Sequence, residues 1–508
     1  MSRDAQALHR AATPDFFGWL EHTRAAGACT RPIRLTGTLT TVEPDTGRLL
    51  AEQHTDELPD RTLYKACANR RAAQCPDCAW VYAGDAFQVV RCGLTGGKTI
   101  PATVSAHPVV FATFTAPSFG PVHHRHIPRH TCAGRRRCDC RPAPCRARSI
   151  AGTCPHGRPA ACFTRHDADD PQLGRPLCLD CYDHDHQAVW NYFSGELWRR
   201  TKQAIERHLT ALCRRRGIPH VQVVTDSGRV RRVPPVRVSH GKVAEMQRRG
   251  AVHFHVLLRL DGVDPHDRRA VVPPPAGVTV DDLDAAVHAA ARQITVTTPP
   301  HPDRPHGWPI AWGEQIDVRR IGTSDGDVTD AKVAAYLAKY ATKSTEVTGH
   351  CSIRLTPDTV DAYADPEGDH LARLIDACWR LGRPTHAPNS STADTTGKRQ
   401  AVLDTAPNEY AGLRRWAHML GYGGHFLTKA RRYSVTFGQL RNTRAAYRRT
   451  EHTDTAGTVT VGTLAFVGSG WLTEGDALLA NTAAAQRRER HRIGREELAH
   501  EAWSGVAA

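Results

Sequence analysis

The chain has 508 residues, a formal net charge of +15 with histidines neutral, and 16 cysteines. Its isoelectric point is near 9.3. This length holds about three domains with ample core, and the positive excess, mostly arginine, points to a nucleic-acid partner through counterion release and bidentate phosphate contacts. A GC-rich genome inflates arginine too, but it accounts less readily for net charge. No charged-then-apolar start resembles a signal peptide, and no apolar run reaches membrane-spanning length. The reading is a cytoplasmic protein with no membrane partner, whose cysteines serve as metal ligands or free thiols more than as disulfides.

In chain order, residues 1–60 form an N-terminal region with a helix near Asp15–Ala26 and two strands within 34–52. Residues 61–100 read as a zinc-binding module. There Cys67, Cys75, Cys78 and Cys92 form a C-x7-C-x2-C-x13-C set around a Cys-Pro-Asp-Cys knuckle, with Cys92 placed in a strand. Gly93 to Thr99 looks like a phosphate-binding loop but has three residues where four are needed before Gly97-Lys98, so no nucleotide site or helicase activity is assigned. Residues 101–345 form the central domain, starting with the strand Val109–Thr115 and interrupted at 123–187 by a Cys/Arg/His-rich insertion. A second zinc set lies in that insertion: Cys154, Cys162, Cys178 and Cys181, with His156 and His166 close by. Cys132, Cys138, Cys140 and Cys145 have irregular spacing and stay unassigned; Cys213, Cys351 and Cys378 are isolated and structural.

The domain resumes with a helix over Asn191–Arg216 and strands at Val221–Thr225 and Val233–Val238. After a Pro/Gly-rich loop at 261–278 come a helix over Val280–Ile294 and a short strand, Gln315–Val318. Residues 346–383 extend it with helix, and Pro384–Gln400 is a linker. Residues 401–470 form a basic C-terminal region. In it arginines interleave with Trp416, Tyr422, Phe426, Tyr433, Phe437 and Tyr447, a pattern that suits base stacking and phosphate grip or, equally, a helical core. A charged helical tail, 471–508, includes a helix over Ala483–Ala502.

Two places carry chemistry. His253 and His255 flank one hydrophobic residue, so in a strand both imidazoles face the same way. Arg248-Arg249-Gly250 reads as a three-residue hairpin loop with Gly250 at positive φ. Folding back there sets Glu245 opposite His253. Two neutral nitrogens and a carboxylate with open positions suit a divalent ion that also holds substrate. Downstream, Ala331 to Lys343 reads as a helix started by Thr329-Asp330. Tyr336 and Tyr340 share one of its faces, with Lys339 and Lys343 alongside. Lysines interleaved with tyrosines speak against simple core packing.

These segments, in this order, resemble the rolling-circle replication initiators of the HUH endonuclease class, two-tyrosine type, particularly those of actinobacterial plasmids and integrative elements. Phe111-Ala-Thr-Phe-Thr-Ala-Pro117 looks like the first motif, Glu245 to His255 the second, and Tyr336 to Lys343 the third. The tyrosines follow the histidine pair by about eighty residues, unlike the order in conjugative relaxases. The likeness continues through Gly423 to Ser434 and covers most of 60–450.

The resemblance implies an α+β fold: an HUH palm with a central antiparallel sheet and helices on one face. It implies Mg²⁺ or Mn²⁺ on His253, His255 and Glu245, attack by Tyr336 or Tyr340 aided by Lys339, a 5′-phosphotyrosine link and a 3′-OH primer, then religation. Lys343, Lys429, Arg431 and Arg432 are the candidate DNA-binding residues. The partners would be origin DNA, double-stranded and as an exposed single strand, with a host helicase and polymerase; Zn²⁺ is the structural cofactor. Two alternatives stand beside this reading: a two-tyrosine HUH transposase, and a zinc-containing DNA-binding regulator without nuclease activity. Origin sequence, oligomeric state, physiological metal and which tyrosine attacks first are not encoded legibly.

Overall fold

The computed structural model describes residues 1–127, 141–146, 152–225, 227–321, 333–334, 337–338, 353–383, 408–451 and 458–504. The fold is mixed α+β with antiparallel sheets, and the chain divides into two units, Met1–Phe87 with Thr436–Ala508, and Gln88–Val435.

In the first unit the strand Ile33–Val42 pairs on one side with Val459–Ser469, and on the other with Leu49–His54 and Leu63–Lys65, all antiparallel. The helices Arg3–Ala11, Phe16–Thr23, Phe437–Glu451 and Glu474–Ser504 belong to the same unit. Its buried focus is Asp60, which accepts hydrogen bonds from Trp19 Nε1 (2.7 Å), Tyr64 Oη (3.0 Å) and Arg10 (2.9 Å). The two ends of the chain therefore build one body. This corrects the separate basic region expected at 401–470: residues 408–435 belong to the second unit, and the chain from Thr436 onward to the first. The linker Pro384–Gln400 lies outside the described residues.

The second unit is organised on five strands, β1 (Val109–Phe114), β2 (Val236–Met246), β3 (Val252–Gly262), β4 (Ile316–Ile321) and β5 (Leu427–Lys429). Their order across the sheet is β4-β1-β3-β2-β5, every neighbour antiparallel. One face carries Val110, Ala112, Phe114, Ala244, Met246, Phe254, Val256 and Leu258, all fully buried. They pack in one core with Trp190, Leu197, Trp198 and Ile205 of α1 (His184–Arg215) and with α2 (Val280–Gln293) and α3 (His370–Leu381). Asp183 caps α1 by accepting from the His186 N–H. The central strand β3 is buried almost end to end, which is why its sequence reads as an apolar run rather than an alternation.

The turn between β2 and β3 forms as its sequence dictates. Gly250 has φ +76°, a conformation that L side chains rarely adopt, and a methyl there would also come within 2.8 Å of Leu420 Cδ1. The register sets Glu245 opposite His253 and Val243 opposite His255.

Beneath this turn lies a chain of buried neutral histidines. His370 Nε2 donates to the Arg249 carbonyl at 2.8 Å, leaving its Nδ1 to accept from His184 Nε2 at 3.1 Å. Burial pushes His370 down to about 4 and His184 to about 3, and it does the same to His240, at about 3, on the helix-covered face. All three stay neutral in the fold while the unfolded chain takes up protons near pH 6.5. Stability is therefore full above about pH 7 and falls as pH drops from about 6.5 towards 4, each group adding at most about 1.4 kcal/mol per pH unit. Urea titrations between pH 8 and pH 4 check this; a midpoint that holds constant down to pH 4 contradicts it.

Candidate active site

The hairpin converts sequence spacing into a three-donor cluster. His253 Nε2 lies 2.8 Å from His255 Nε2 and 3.2 Å from Glu245 Oε2, and His255 Nε2 lies 3.1 Å from the same oxygen. Because β-strand side chains alternate, all three point from the sheet face opposite α1. Three electron-pair donors this close repel one another unless a proton or cation lies between them. In an octahedron with metal–ligand bonds of 2.0–2.1 Å, adjacent donors are about 2.9 Å apart. The observed 2.8–3.2 Å fits one triangular face of such a site.

Neighbouring side chains orient the rings. Thr113 on β1, paired with His255, sets its hydroxyl 3.2 Å from His255 Nδ1, and the Phe111 ring stacks on His255 at 5.7 Å and 12°. A histidine that offers its Nε2 lone pair keeps its proton on Nδ1, and the Thr113 hydroxyl can accept it. Gln247 lies 3.3 Å from His253 Nδ1 with its amino group, while its oxygen accepts from Arg249 Nε at 2.9 Å. Ion binding by His253 therefore calls for this amide to turn over. The Phe111 to Pro117 segment is legible in the sequence, but the tasks of Thr113 and Phe111 emerge only from the antiparallel pairing of β1 with β3, and Gln247 carries no sequence signal.

The tyrosine segment is described only in part. Val333, Ala334, Leu337 and Ala338 are helical and buried. Tyr336, Lys339, Tyr340 and Lys343 lie outside the described residues.

The cysteines group differently from their spacing. Cys29, Cys67, Cys75 and Cys78 bring their sulfurs within 4.8 Å of one another, and Cys92 is not among them. Its segment is helical, not a strand: Cys78 and Cys92 share the helix Pro76–Thr95, and fourteen residues of helix span about 21 Å, too far to share an ion. Cys29 takes that place, unsignalled by any local knuckle. Hydrogen bonds from Cys29 above all pull the Cys78 thiol down to about 5, burial opposing them, so this cluster holds thiolate character that a cation would neutralise. Cys162 likewise leaves its predicted set: Cys154, Cys178 and Cys181 group with His156, whereas Cys162 and Cys145 group with His123 and His166. Cys132, Cys138, Cys140 and Cys351 lie outside the described residues, and every described cysteine is free.

Among the expected DNA contacts, Lys429 is half-buried with its ammonium on the Ala430 and Arg431 carbonyls (3.3 and 3.2 Å), and Arg431 is exposed. Arg432 lines a cavity of about 300 Å³ with Arg237 and Arg268.

The family model described as "Replication initiator protein, pSAM2" (RepSA) matches residues 15–485. The chain belongs to this replication initiator family. A curated replication initiator protein of Streptomyces ambofaciens is 38% identical over 518 residues, covering 99% of this chain and 97% of that protein. No solved structure matches this initiator. Among its described residues no helix is long and apolar enough to cross a membrane.

Proposed function

We propose that this initiator starts rolling-circle replication by nicking one strand at a double-strand origin, with Gln88–Val435 acting as an HUH palm. The observation that carries the reading is the convergence of Glu245, His253 and His255 donors within 3.2 Å on one sheet face. These residues would hold Mg²⁺ or Mn²⁺, which when bound supplies Lewis-acid polarisation of the scissile phosphate. Tyr336 or Tyr340 is the nucleophile: its phenolic oxygen bonds to phosphorus, the P–O3′ bond breaks, and a 5′-phosphotyrosine and a 3′-hydroxyl primer remain. Lys339 offsets charge on the phosphoryl oxygens. Because the ester keeps the phosphodiester's energy, the free 3′-hydroxyl can attack it and reseal the strand. Two tyrosines allow one cut at the start of a round and a second at its end.

Origin DNA, duplex and locally single-stranded, is the substrate, with Lys343, Lys429, Arg431 and Arg432 as backbone contacts and a host helicase and polymerase continuing the work in the cytoplasm. The clustered Cys29, Cys67, Cys75 and Cys78 support a structural zinc in the first unit.

The test is incubation with supercoiled origin plasmid and Mg²⁺ or Mn²⁺. Wild type should relax the plasmid and leave a covalent protein–DNA adduct. Tyr336→Phe with Tyr340→Phe should abolish the adduct while origin binding persists; unchanged cleavage by that double variant overturns the assignment.

A further inference from the structure

The insertion between β1 and α1 contains two four-donor clusters whose members alternate along the chain. His123 and Cys145 belong to the first, Cys154 and His156 to the second, Cys162 and His166 to the first again, Cys178 and Cys181 to the second. Within each cluster all four donor atoms lie within 4.8 Å of one another. In the first, His123 Nδ1 is 3.2 Å from His166 Nε2, Cys162 Sγ is 3.6 Å from His166 Nε2, and Cys145 Sγ is 3.9 Å from His123 Nδ1. In the second, His156 Nδ1 is 3.2 Å from Cys181 Sγ and 3.8 Å from Cys178 Sγ. A tetrahedron with 2.0–2.1 Å bonds to nitrogen and 2.3 Å bonds to sulfur has edges of about 3.3–3.8 Å. The contacts in both clusters, 3.2–3.9 Å, lie close to that range.

We propose that this insertion is a cross-braced module holding two zinc ions, one on His123, Cys145, Cys162 and His166, the other on Cys154, His156, Cys178 and Cys181. The donor sets, two thiolates with two imidazoles and three thiolates with one, are those of closed, structural zinc. The first site also has the outer partner such sites use: His166 directs Nδ1 to the Asp170 carboxylate at 2.7 Å, which fixes its tautomer and leaves Nε2 for the ion. Interleaving means that each ion closes a loop containing a ligand of the other, so neither half can open alone.

The module also bears on the hairpin. The Arg248 guanidinium, in the turn between β2 and β3, donates to the Asp170 and Ala168 carbonyls at 2.9 and 2.8 Å. Gly174 approaches the same turn so closely that a methyl on it would lie 2.7 Å from the Arg248 backbone. One zinc therefore anchors, through His166 and Asp170, the turn that presents Glu245 and His253.

The test uses the full wild-type chain, titrated stepwise with a chelator while each cysteine's alkylation is mapped by mass spectrometry and released zinc is counted. Cys145 and Cys162 should become reactive together with loss of one ion, and Cys154, Cys178 and Cys181 together with loss of another. Cys162 reacting in step with Cys154, Cys178 and Cys181 overturns the partition, and alkylation indifferent to the chelator overturns the sites. Asp170→Ala should weaken zinc at the Cys145–Cys162 site alone by about 10–100-fold. An equal loss at both sites, or at neither, contradicts the assigned role of Asp170.

Discussion

Replacing Asp261 by alanine should destabilise the Gln88–Val435 unit by about 3–5 kcal/mol, one of the largest losses available to a single side chain. Asp261 sits at the far end of β3 from the histidine pair, almost wholly buried. Its carboxylate accepts from Arg259 Nε and Nη2 at 2.8 and 3.0 Å, from His107 Nδ1 at 2.8 Å and from Ser239 Oγ at 2.6 Å. Burial alone would raise its pKa, yet these partners outweigh burial and hold it below the ordinary carboxylate range. Removing the carboxylate leaves the fully buried Arg259 guanidinium with no counter-ion among the described residues. Adding Arg259→Met should not restore stability as it does for some buried pairs, because Arg259 also donates to the Tyr433 and Arg432 carbonyls (3.2 and 3.3 Å) and to that of Gly93, which would lose their donor. Urea unfolding followed by tryptophan fluorescence reads both losses; a midpoint within about 0.5 kcal/mol of wild type for Asp261→Ala removes this pair from the list of determinants. The sign with pH follows: a carboxylate held below its unfolded pKa stabilises above about pH 4 and loses that contribution as pH falls through the folded value.

The hairpin was legible because everything that makes it is local. A loop glycine at positive φ and a fixed turn length determine the register, strand geometry puts residues i and i+2 on one face, and together these determine which side chains meet. The helices near Asp15 and over Val280–Ile294 were legible for the same reason: 3.6-residue periodicity is a short-range signal, joined in the second by the Thr279 and Asp282 capping box. The thiol partition was not, since chain spacing says which cysteines can approach one another and not which do. Cys92 suits a fourth ligand only in a strand, and its segment is helical; Cys29, thirty-eight residues before Cys67, gives no local sign. Cys162 groups apart from its neighbours in sequence because interleaved donor clusters defeat nearest-neighbour grouping. The basic C-terminal region failed for a different reason. Tyr422, Phe426 and Tyr433 mix with arginines in sequence, yet all three are buried in the second unit, and β5, three residues long, is too short to show any alternation. Aromatic–arginine interleaving looks alike whether the rings stack on bases or fill a core.

Glu245→Gln and His253→Ala should each lower strand cleavage by about a thousandfold while leaving origin binding and folding intact. Both side chains keep some contact with solvent, at 14% exposure each, so the substitutions open no large cavity. The amide of glutamine preserves shape but removes the charge that the two imidazoles cannot supply, and a divalent ion held by neutral donors alone binds weakly. Thr113→Val tests the same site from its support. Valine matches the threonine's shape and deletes the hydroxyl 3.2 Å from His255 Nδ1. The expected result is a loss of about 10–100-fold in divalent-ion affinity, recovered at high Mn²⁺, with the maximal cleavage rate nearly unchanged. That split separates a residue that orients a ligand from one that merely packs, since a packing defect would lower the rate at every ion concentration. Wild-type cleavage by Glu245→Gln at limiting Mg²⁺ would instead mean that the three donors meet for a structural reason and that strand scission draws on other groups.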